Sequence, residues 1–320
     1  MATTETQKLD GIISSRRNLI MMLGGTALAG AAVLGNAAKA EAQSTLTDND
    51  ILNFALNLEY LEAEYYTLAT SGQTIDQMAV GIGAGTANGP GGSVTTKPGG
   101  PAACQVPFVT LNIQDYASEI ASEERRHVQF LRNALGANAV AQPNIDLYNS
   151  FNAAAAAAGI GPAFDPFKDE VSFLLGSYIF EDVGVTAYHG AAPLIKDTSI
   201  LGAAVGIHAV EAYHAGLVRT TLWGLDQADT SKGIAAIANK ISALRATLDG
   251  TGNDDIGLTT MADALNGSSA TYTASTIVNA DAATSRGFSR TTTQVLSIVY
   301  ASASATPGGF FPNGLNGTIK

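Results

Sequence analysis

The stretch EERRH at residues 123–127 decides the fold of this chain, together with EAYH at residues 211–214. Each stretch stands inside a long helical pattern and contains a glutamate followed three residues later by a histidine. Residues three apart on an α-helix project from one face, so each pair can offer a carboxylate and an imidazole to a shared cavity. The pairs are Glu124 with His127 and Glu211 with His214. Two such pairs, with one glutamate from each of two further helices, are typical of a carboxylate-bridged two-metal centre in a four-helix bundle.

Two other helical patterns contain candidates for those further glutamates. In the first pattern, Glu59 and Glu62 lie along the flank of an apolar stripe that recurs at helical spacing. In a later pattern, Glu181 lies among apolar residues such as Phe173 and Val185. A carboxylate beside a core face is costly unless it is paired or bound to a cation. We therefore predict that Glu59 and Glu181 complete the ligand set.

The chain divides by composition into a helical part and a tail. Four long helices are predicted at about residues 50–69, 113–134, 166–192 and 198–225, with long connections at 71–113 and 136–166. Long crossovers distinguish such a bundle from a simple up-and-down one. The predicted fold class is all-α, with a four-helix bundle over residues 47–225. Residues 226–320 contain no Glu or His, and we predict a C-terminal extension that packs on the bundle.

The first 42 residues are predicted to be an export signal rather than part of the fold. Arg16 and Arg17 precede an uncharged run at 21–35, and small-x-small cleavage patterns follow at 38–42. The alternative is a membrane anchor, but the apolar run is shorter than the roughly 20 residues that a span needs. We therefore expect a periplasmic or exported protein that uses the twin-arginine pathway and has no membrane span after cleavage.

Charge and cysteine content exclude several classes of function. The formal net charge is −11, whereas phosphate binding needs clustered cations, so no nucleic-acid partner is expected. Cys104 is the only cysteine, which excludes an internal disulfide, a thiolate zinc site and an iron–sulfur cluster. The expected partners are small molecules, namely dioxygen, peroxide and metal ions. A homo-oligomer remains open.

At this point the motifs resemble a known family. NLEYLEAEYY at residues 57–66 resembles the first-helix motif of ferritins, and EERRH at 123–127 resembles the second-helix motif of the ferritin-like superfamily. More closely, the chain resembles exported bacterial ferritin-like proteins that are grouped with plant desiccation-related proteins. The resemblance implies that Glu59 and Glu181 are terminal carboxylates and that Glu124 and Glu211 are bridging carboxylates. It also implies that His127 and His214 are the imidazole ligands.

The chain also departs from the family pattern. Glu62 stands where ferritins usually have a small residue, so it is a further candidate ligand, beside Glu59 or in its place. Bacterioferritins place a carboxylate before each bridging glutamate as a partner for the opposite histidine. Glu123 fits that role and Val210 does not, which leaves one imidazole without an orienting group. Tyr66 and Tyr188 each follow a candidate glutamate by seven residues, and we expect both mainly as core residues.

Two functional hypotheses follow from the candidate ligands. Carboxylates and imidazoles without thiolates suit two iron or manganese ions, and zinc is also possible. The first hypothesis is a redox protein that protects against stress, as a ferroxidase, a peroxidase or a catalase-like enzyme. The second is a non-catalytic desiccation, stress or envelope protein, whose metal site is structural or vestigial. The sequence leaves open whether the protein is an enzyme.

Overall fold

The computed structural model of the chain describes residues 46–86, 89–251, 254–263, 272–281 and 283–320. The predicted export signal at residues 1–42 lies outside these stretches. Within them, seven α-helices and four short strands occur. The helices are α1 (Asp48–Ser71), α2 (Leu111–Leu135), α3 (Asn149–Ala157), α4 (Glu170–Ala191), α5 (Thr198–Ala228), α6 (Ile234–Asp249) and α7 (Thr292–Val299). The predicted all-α class is confirmed.

Four long helices form the bundle. Helix α1 packs along α2, and α4 packs along α5, while α1 also contacts α4 and α2 contacts α5. Almost every residue of α1 from Ile51 to Ala69 is buried. A helix covered on all sides places its polar residues in the interior, so the glutamates of α1 face protein rather than solvent.

Caps determine where the bundle helices begin. Thr47 and Asp50 form a capping box at the start of α1, in which the Thr47 hydroxyl accepts from the Asp50 N–H. Helix α4 begins at Glu170 rather than near residue 166, because the Asp169 carboxylate caps it by accepting from the Ser172 N–H. Thr291 and Gln294 form a second capping box at the start of α7.

The two long connections between bundle helices are tied to each other. Strand β1 (Val94–Thr95) in the first connection pairs in parallel with β2 (Ile145–Asp146) in the second. A second, antiparallel pair, β3 (Thr260–Asp263) with β4 (Tyr272–Ser275), lies in the C-terminal part. The sequence patterns predicted neither pair, since two to four residues are too short to show a period of two.

The C-terminal residues pack on the bundle through several contacts, among them the following three. The Asn57 side-chain amide donates to the Asn316 carbonyl at 2.9 Å and accepts from the Asn316 N–H at 3.0 Å. The ring of Phe310 lies 4.9 Å from that of Phe180, centroid to centroid. The backbone of Arg290 crosses α4 at Gly190, where a β-carbon would collide with the Arg290 carbonyl. Residues Thr47–Lys320 accordingly form one compact unit.

A buried network of charges joins α4, α5 and the C-terminal part. Arg219 and Arg245 both contact the Asp182 carboxylate, at 2.7 and 2.9 Å. Asp255 accepts from Arg245 at 2.7 Å and from Arg290 at 3.0 Å. These side chains are almost wholly buried, so each charge depends on its partners for solvation.

Within the described residues, α5 is the one helix whose length and apolar composition would allow it to cross a membrane. Bundle helices in soluble proteins pass the same test. Here α5 buries Glu211, His214 and Arg219 against the other helices. These three polar side chains contact protein partners, as expected for a helix of the bundle.

Candidate metal centre

Six of the predicted ligands converge in the middle of the bundle. Helix α1 contributes one carboxylate and α4 another, while α2 and α5 each contribute a carboxylate and an imidazole. In that order these are Glu59, Glu181, Glu124 with His127, and Glu211 with His214. All six are buried. The Glu-x-x-His spacing places both members of each pair on the same inward face, as expected from the helical period.

The six residues form two groups that share one glutamate. In the first group, His127 Nδ1 lies 3.2 Å from Glu59 Oε2, 3.6 Å from Glu124 Oε2 and 3.5 Å from Glu211 Oε1. These four residues offer ligand atoms that lie within 4.8 Å of one another. Such spacing is short enough for all four atoms to reach a single ion.

The second group stands on the other side of Glu124. His214 Nδ1 lies 3.0 Å from Glu124 Oε1 and 3.6 Å from Glu181 Oε2, again within 4.8 Å of one another. Glu124 therefore directs one oxygen towards each histidine. The two imidazole rings are 6.2 Å apart, centroid to centroid. A carboxylate placed between two histidines in this way is the arrangement of a bridging ligand.

The ligand atoms of both groups lack hydrogen-bond partners among the described residues, although they are buried. A buried polar atom without a partner costs about 1–3 kcal/mol, and more if it is charged. Eight such atoms at one place are therefore evidence that the site is built to hold a cation. They are Glu59 Oε2, both oxygens of Glu124 and of Glu211, Glu181 Oε2, and Nδ1 of His127 and of His214. The donor set fits a metal site.

The charge balance leads to the same conclusion. Five buried carboxyl groups, the four of the ligand set and Glu62, stand against two imidazoles. Full ionisation would leave an excess of three negative charges even with both histidines protonated. Burial, opposed by His127 and reinforced by the other carboxylates, raises the pKa of Glu59 to about 8. Burial likewise raises the pKa of Glu181 and of Glu211. Carboxylates that resist ionisation without a counter-charge would ionise readily beside bound cations.

The two histidines carry the only compensating charge recorded for the cluster within the described residues. Burial opposes the charged form of His214, but the Glu181 and Glu124 carboxylates outweigh it and raise the pKa to about 11. The neighbouring carboxylates raise the pKa of His127 in the same way. Metal binding requires neutral imidazoles, so it must displace a proton from each histidine.

Glu62 lies at the edge of this cluster. Its side chain is 5% exposed, and burial together with the Glu211 and Glu124 carboxylates raises its pKa well above the ordinary range. Neither of the two candidate groups includes Glu62. The structure therefore places Glu62 close enough to interact electrostatically, while Glu59 occupies the position beside His127.

Two tyrosines hold the terminal glutamates, whereas the sequence led us to expect both mainly as core residues. The Tyr66 hydroxyl on α1 donates to Glu181 Oε1 on α4, and the Tyr188 hydroxyl on α4 donates to Glu59 Oε1 on α1. Each glutamate keeps its second oxygen, Oε2, for the cluster. Both tyrosines are in the core as expected, but they also orient the candidate ligands. The seven-residue Glu-to-Tyr repeat was the signal in the sequence.

Of the two histidines in the cluster, only His214 has an orienting carboxylate among the described residues. His214 Nε2 lies 2.7 Å from Glu123 Oε2, as the sequence suggested, and this contact leaves Nδ1 directed at the cluster. For His127 no corresponding hydrogen bond to Nε2 is recorded in the described part of the chain, and Val210 occupies the equivalent position on α5. The centre is therefore asymmetric, with His127 the less constrained of its two imidazoles.

Replacing Glu123 with Gln is expected to weaken the metal affinity by about 10–100-fold, the usual effect of losing a partner that orients a ligand. The change should act on the ion beside His214, so titration of metal-free protein should resolve one weakened and one unchanged site. Glu119→Gln, an exposed position one turn earlier on α2, is the matched control. Equal weakening by both variants would show that only the loss of surface charge matters.

A four-helix bundle with long connections between its helices and this interior cluster is the architecture of ferritin-like proteins. Residues 47–223 match the family described as "Ferritin-like domain". The chain belongs to this family, and the predicted resemblance is confirmed.

Two curated relatives are similar over most of the chain. One is the ferritin-like catalase Nec2 of Nesocodon mauritianus, 30% identical over 278 residues, which are 85% of this chain and 84% of that protein. The other is the desiccation-related protein PCC13-62 of Craterostigma plantagineum, 29% identical over 221 residues, which are 66% of each chain. No solved structure matches the chain.

Proposed function

We propose that this protein is an exported, dinuclear iron or manganese enzyme that disproportionates hydrogen peroxide. One observation carries the proposal: Glu124 directs its two unpaired oxygens towards two histidines, each within a separate group of buried ligand atoms. Two ions held by a shared carboxylate could be oxidised and reduced together. Zinc would bind the same donors but could not pass electrons.

Disproportionation of hydrogen peroxide needs no separate oxidant or reductant, because peroxide serves as both. One hydrogen peroxide molecule is oxidised to dioxygen and releases two protons and two electrons. A second molecule takes up these two protons and two electrons and becomes two water molecules. The bound metal pair would supply the store for the two electrons. The protein residues hold and orient the ligands: Tyr66 and Tyr188 fix the terminal glutamates, and Glu123 fixes His214.

A polar substrate would enter on the α2 side of the cluster, where the residues beside it are least buried. The His127 residue is 8% exposed and the Glu123 side chain 31% exposed, whereas the other ligands lie deeper. A small polar molecule could therefore reach the cluster between α2 and α5. The relative named as a ferritin-like catalase favours this activity over ferroxidase or storage functions.

The test is dioxygen evolution from hydrogen peroxide by protein loaded with manganese or with iron. We expect metal-dependent turnover that Glu124→Gln abolishes, because this glutamate belongs to both groups. Glu119→Gln should leave the turnover unchanged. Loaded protein that holds two ions but evolves no dioxygen would overturn the catalase assignment. It would favour the non-catalytic alternative, for which the desiccation-related relative is the supporting observation.

Export is a separate part of the proposal, supported by the twin-arginine pattern at residues 15–20. We expect the native protein outside the cytoplasm, shortened to begin near residue 41 or 43. Replacing Arg16 and Arg17 with Lys should retain it in the cytoplasm, as cell fractionation and N-terminal sequencing would show. Export of the double variant at the normal level would contradict the signal assignment.

A further inference from the structure

Apolar cavities adjoin the metal centre near Glu62 and Gly184. The outer cavity has a volume of about 40 Å³ and lies between α3, α4, α6 and α7. The inner cavity, of about 20 Å³, lies between α1, α4 and α7. A cavity needs about 10–15 Å³ to hold one water-sized molecule. Each cavity therefore accommodates a molecule of two or three atoms, and neither admits a large ligand.

The two cavities adjoin each other and lead towards the metal centre. Ile179, Ile298 and Phe310 line both of them. The inner cavity ends at Glu62 and Gly184. Gly184 has no side chain, and a β-carbon there would collide with the Glu211 carboxylate, so only the glycine separates this wall from the cluster.

The outer cavity adjoins the surface. Several of its lining residues are only partly buried, among them Ala154, Phe164 and Leu244. Arg245 is the only charged residue that lines the outer cavity, and Glu62 the only one that lines the inner cavity. Empty cavities in proteins are apolar and stay free of water, whereas apolar gases enter them.

We propose that these cavities form a passage for dioxygen between the metal centre and the surface. This proposal rests on the function proposed above, in which dioxygen is a product. Dioxygen is apolar and favours apolar surroundings, while peroxide is polar and suits the His127 side. The walls include α6, α7 and Phe310, all beyond the residues 47–223 that match the family. The C-terminal extension thereby acquires a role besides packing.

The first test uses xenon, an apolar atom that reports accessible cavities, in crystals of the metal-free protein. We expect xenon in both cavities of the wild type. In Ile179→Phe, a larger side chain at the junction should remove xenon from the inner cavity. Ala154→Phe, at the half-exposed edge of the outer cavity, is a second variant with less risk to folding. Absence of xenon from both wild-type cavities would overturn the passage.

The second test measures how fast dioxygen oxidises protein loaded with ferrous iron. The second-order rate constant should fall by about tenfold, and not to zero, in Ile179→Phe and Ala154→Phe, because each larger side chain narrows the passage. A third apolar cavity, which Leu58, Glu62 and Gly184 also line, leaves a slower route to the same wall. Ala153→Phe, an exposed position on the same helix that lines neither cavity, should match the wild type. Unchanged rates in both blocking variants would overturn the proposal. Xenon in both cavities with no peroxide turnover would refute the catalase function and support the passage.

Discussion

Replacing His127 and His214 together with alanine is expected to abolish the stoichiometric binding of two metal ions per chain. Each group loses its only nitrogen ligand, and the remaining carboxylates repel one another in a buried site. The loss should exceed the roughly 10–100-fold typical of an orienting partner. Elemental analysis of the purified protein, with titration of metal-free samples, measures the change.

The chain contains its own control for this experiment. His189 and His208 are the other two of its four histidines, and they lie outside both groups of ligand atoms. Their double replacement with alanine should leave two ions per chain. The helical content of both double variants should be checked by circular dichroism. A folded His127 and His214 variant that still holds two ions would refute the assigned site.

Replacing Asp255 with Asn is expected to destabilise the fold by about 3–5 kcal/mol, the range for breaking a buried ion pair. The carboxylate lies between Arg245 and Arg290, and without it both guanidinium groups lose a buried counter-charge. The variant should unfold at a lower urea concentration than the wild type. Asp229→Asn is the control, because Asp229 is exposed and lies 3.9 Å from Lys232. Equal midpoints for Asp255→Asn and the wild type would contradict the network's role.

The effect should depend on pH in a defined direction. Burial opposes ionisation of Asp255, but the charges of Arg245 and Arg290 outweigh it and lower the pKa. A carboxyl whose pKa is lower in the folded than in the unfolded state stabilises the fold above its unfolded pKa, about 3.9 for Asp. That contribution disappears as the pH falls through the folded pKa. The difference between wild type and Asp255→Asn should therefore be full near neutral pH and shrink below about pH 4.

Much of the candidate site was predictable because its signals are local. The spacing of Glu124 with His127 and of Glu211 with His214 follows from the helical period alone. The positions of Glu59 and Glu181 needed only apolar neighbours at helical spacing. The role of Glu62 was not predictable, because Glu59 and Glu62 lie on neighbouring parts of one helix face. Which of them stands beside His127 depends on how α1 is rotated against α2.

The sequence by itself determined the types of ligand and their grouping on four helices, because a helix converts spacing of three into a common face. The seven-residue spacing singled out Tyr66 and Tyr188, but tertiary structure decided that each holds the glutamate of the opposite helix, since each contact joins residues more than 100 positions apart. The same holds for Asp255 between two arginines and for the apolar cavities. Such features depend on the distance and rotation between packed helices, which no local pattern of residues specifies.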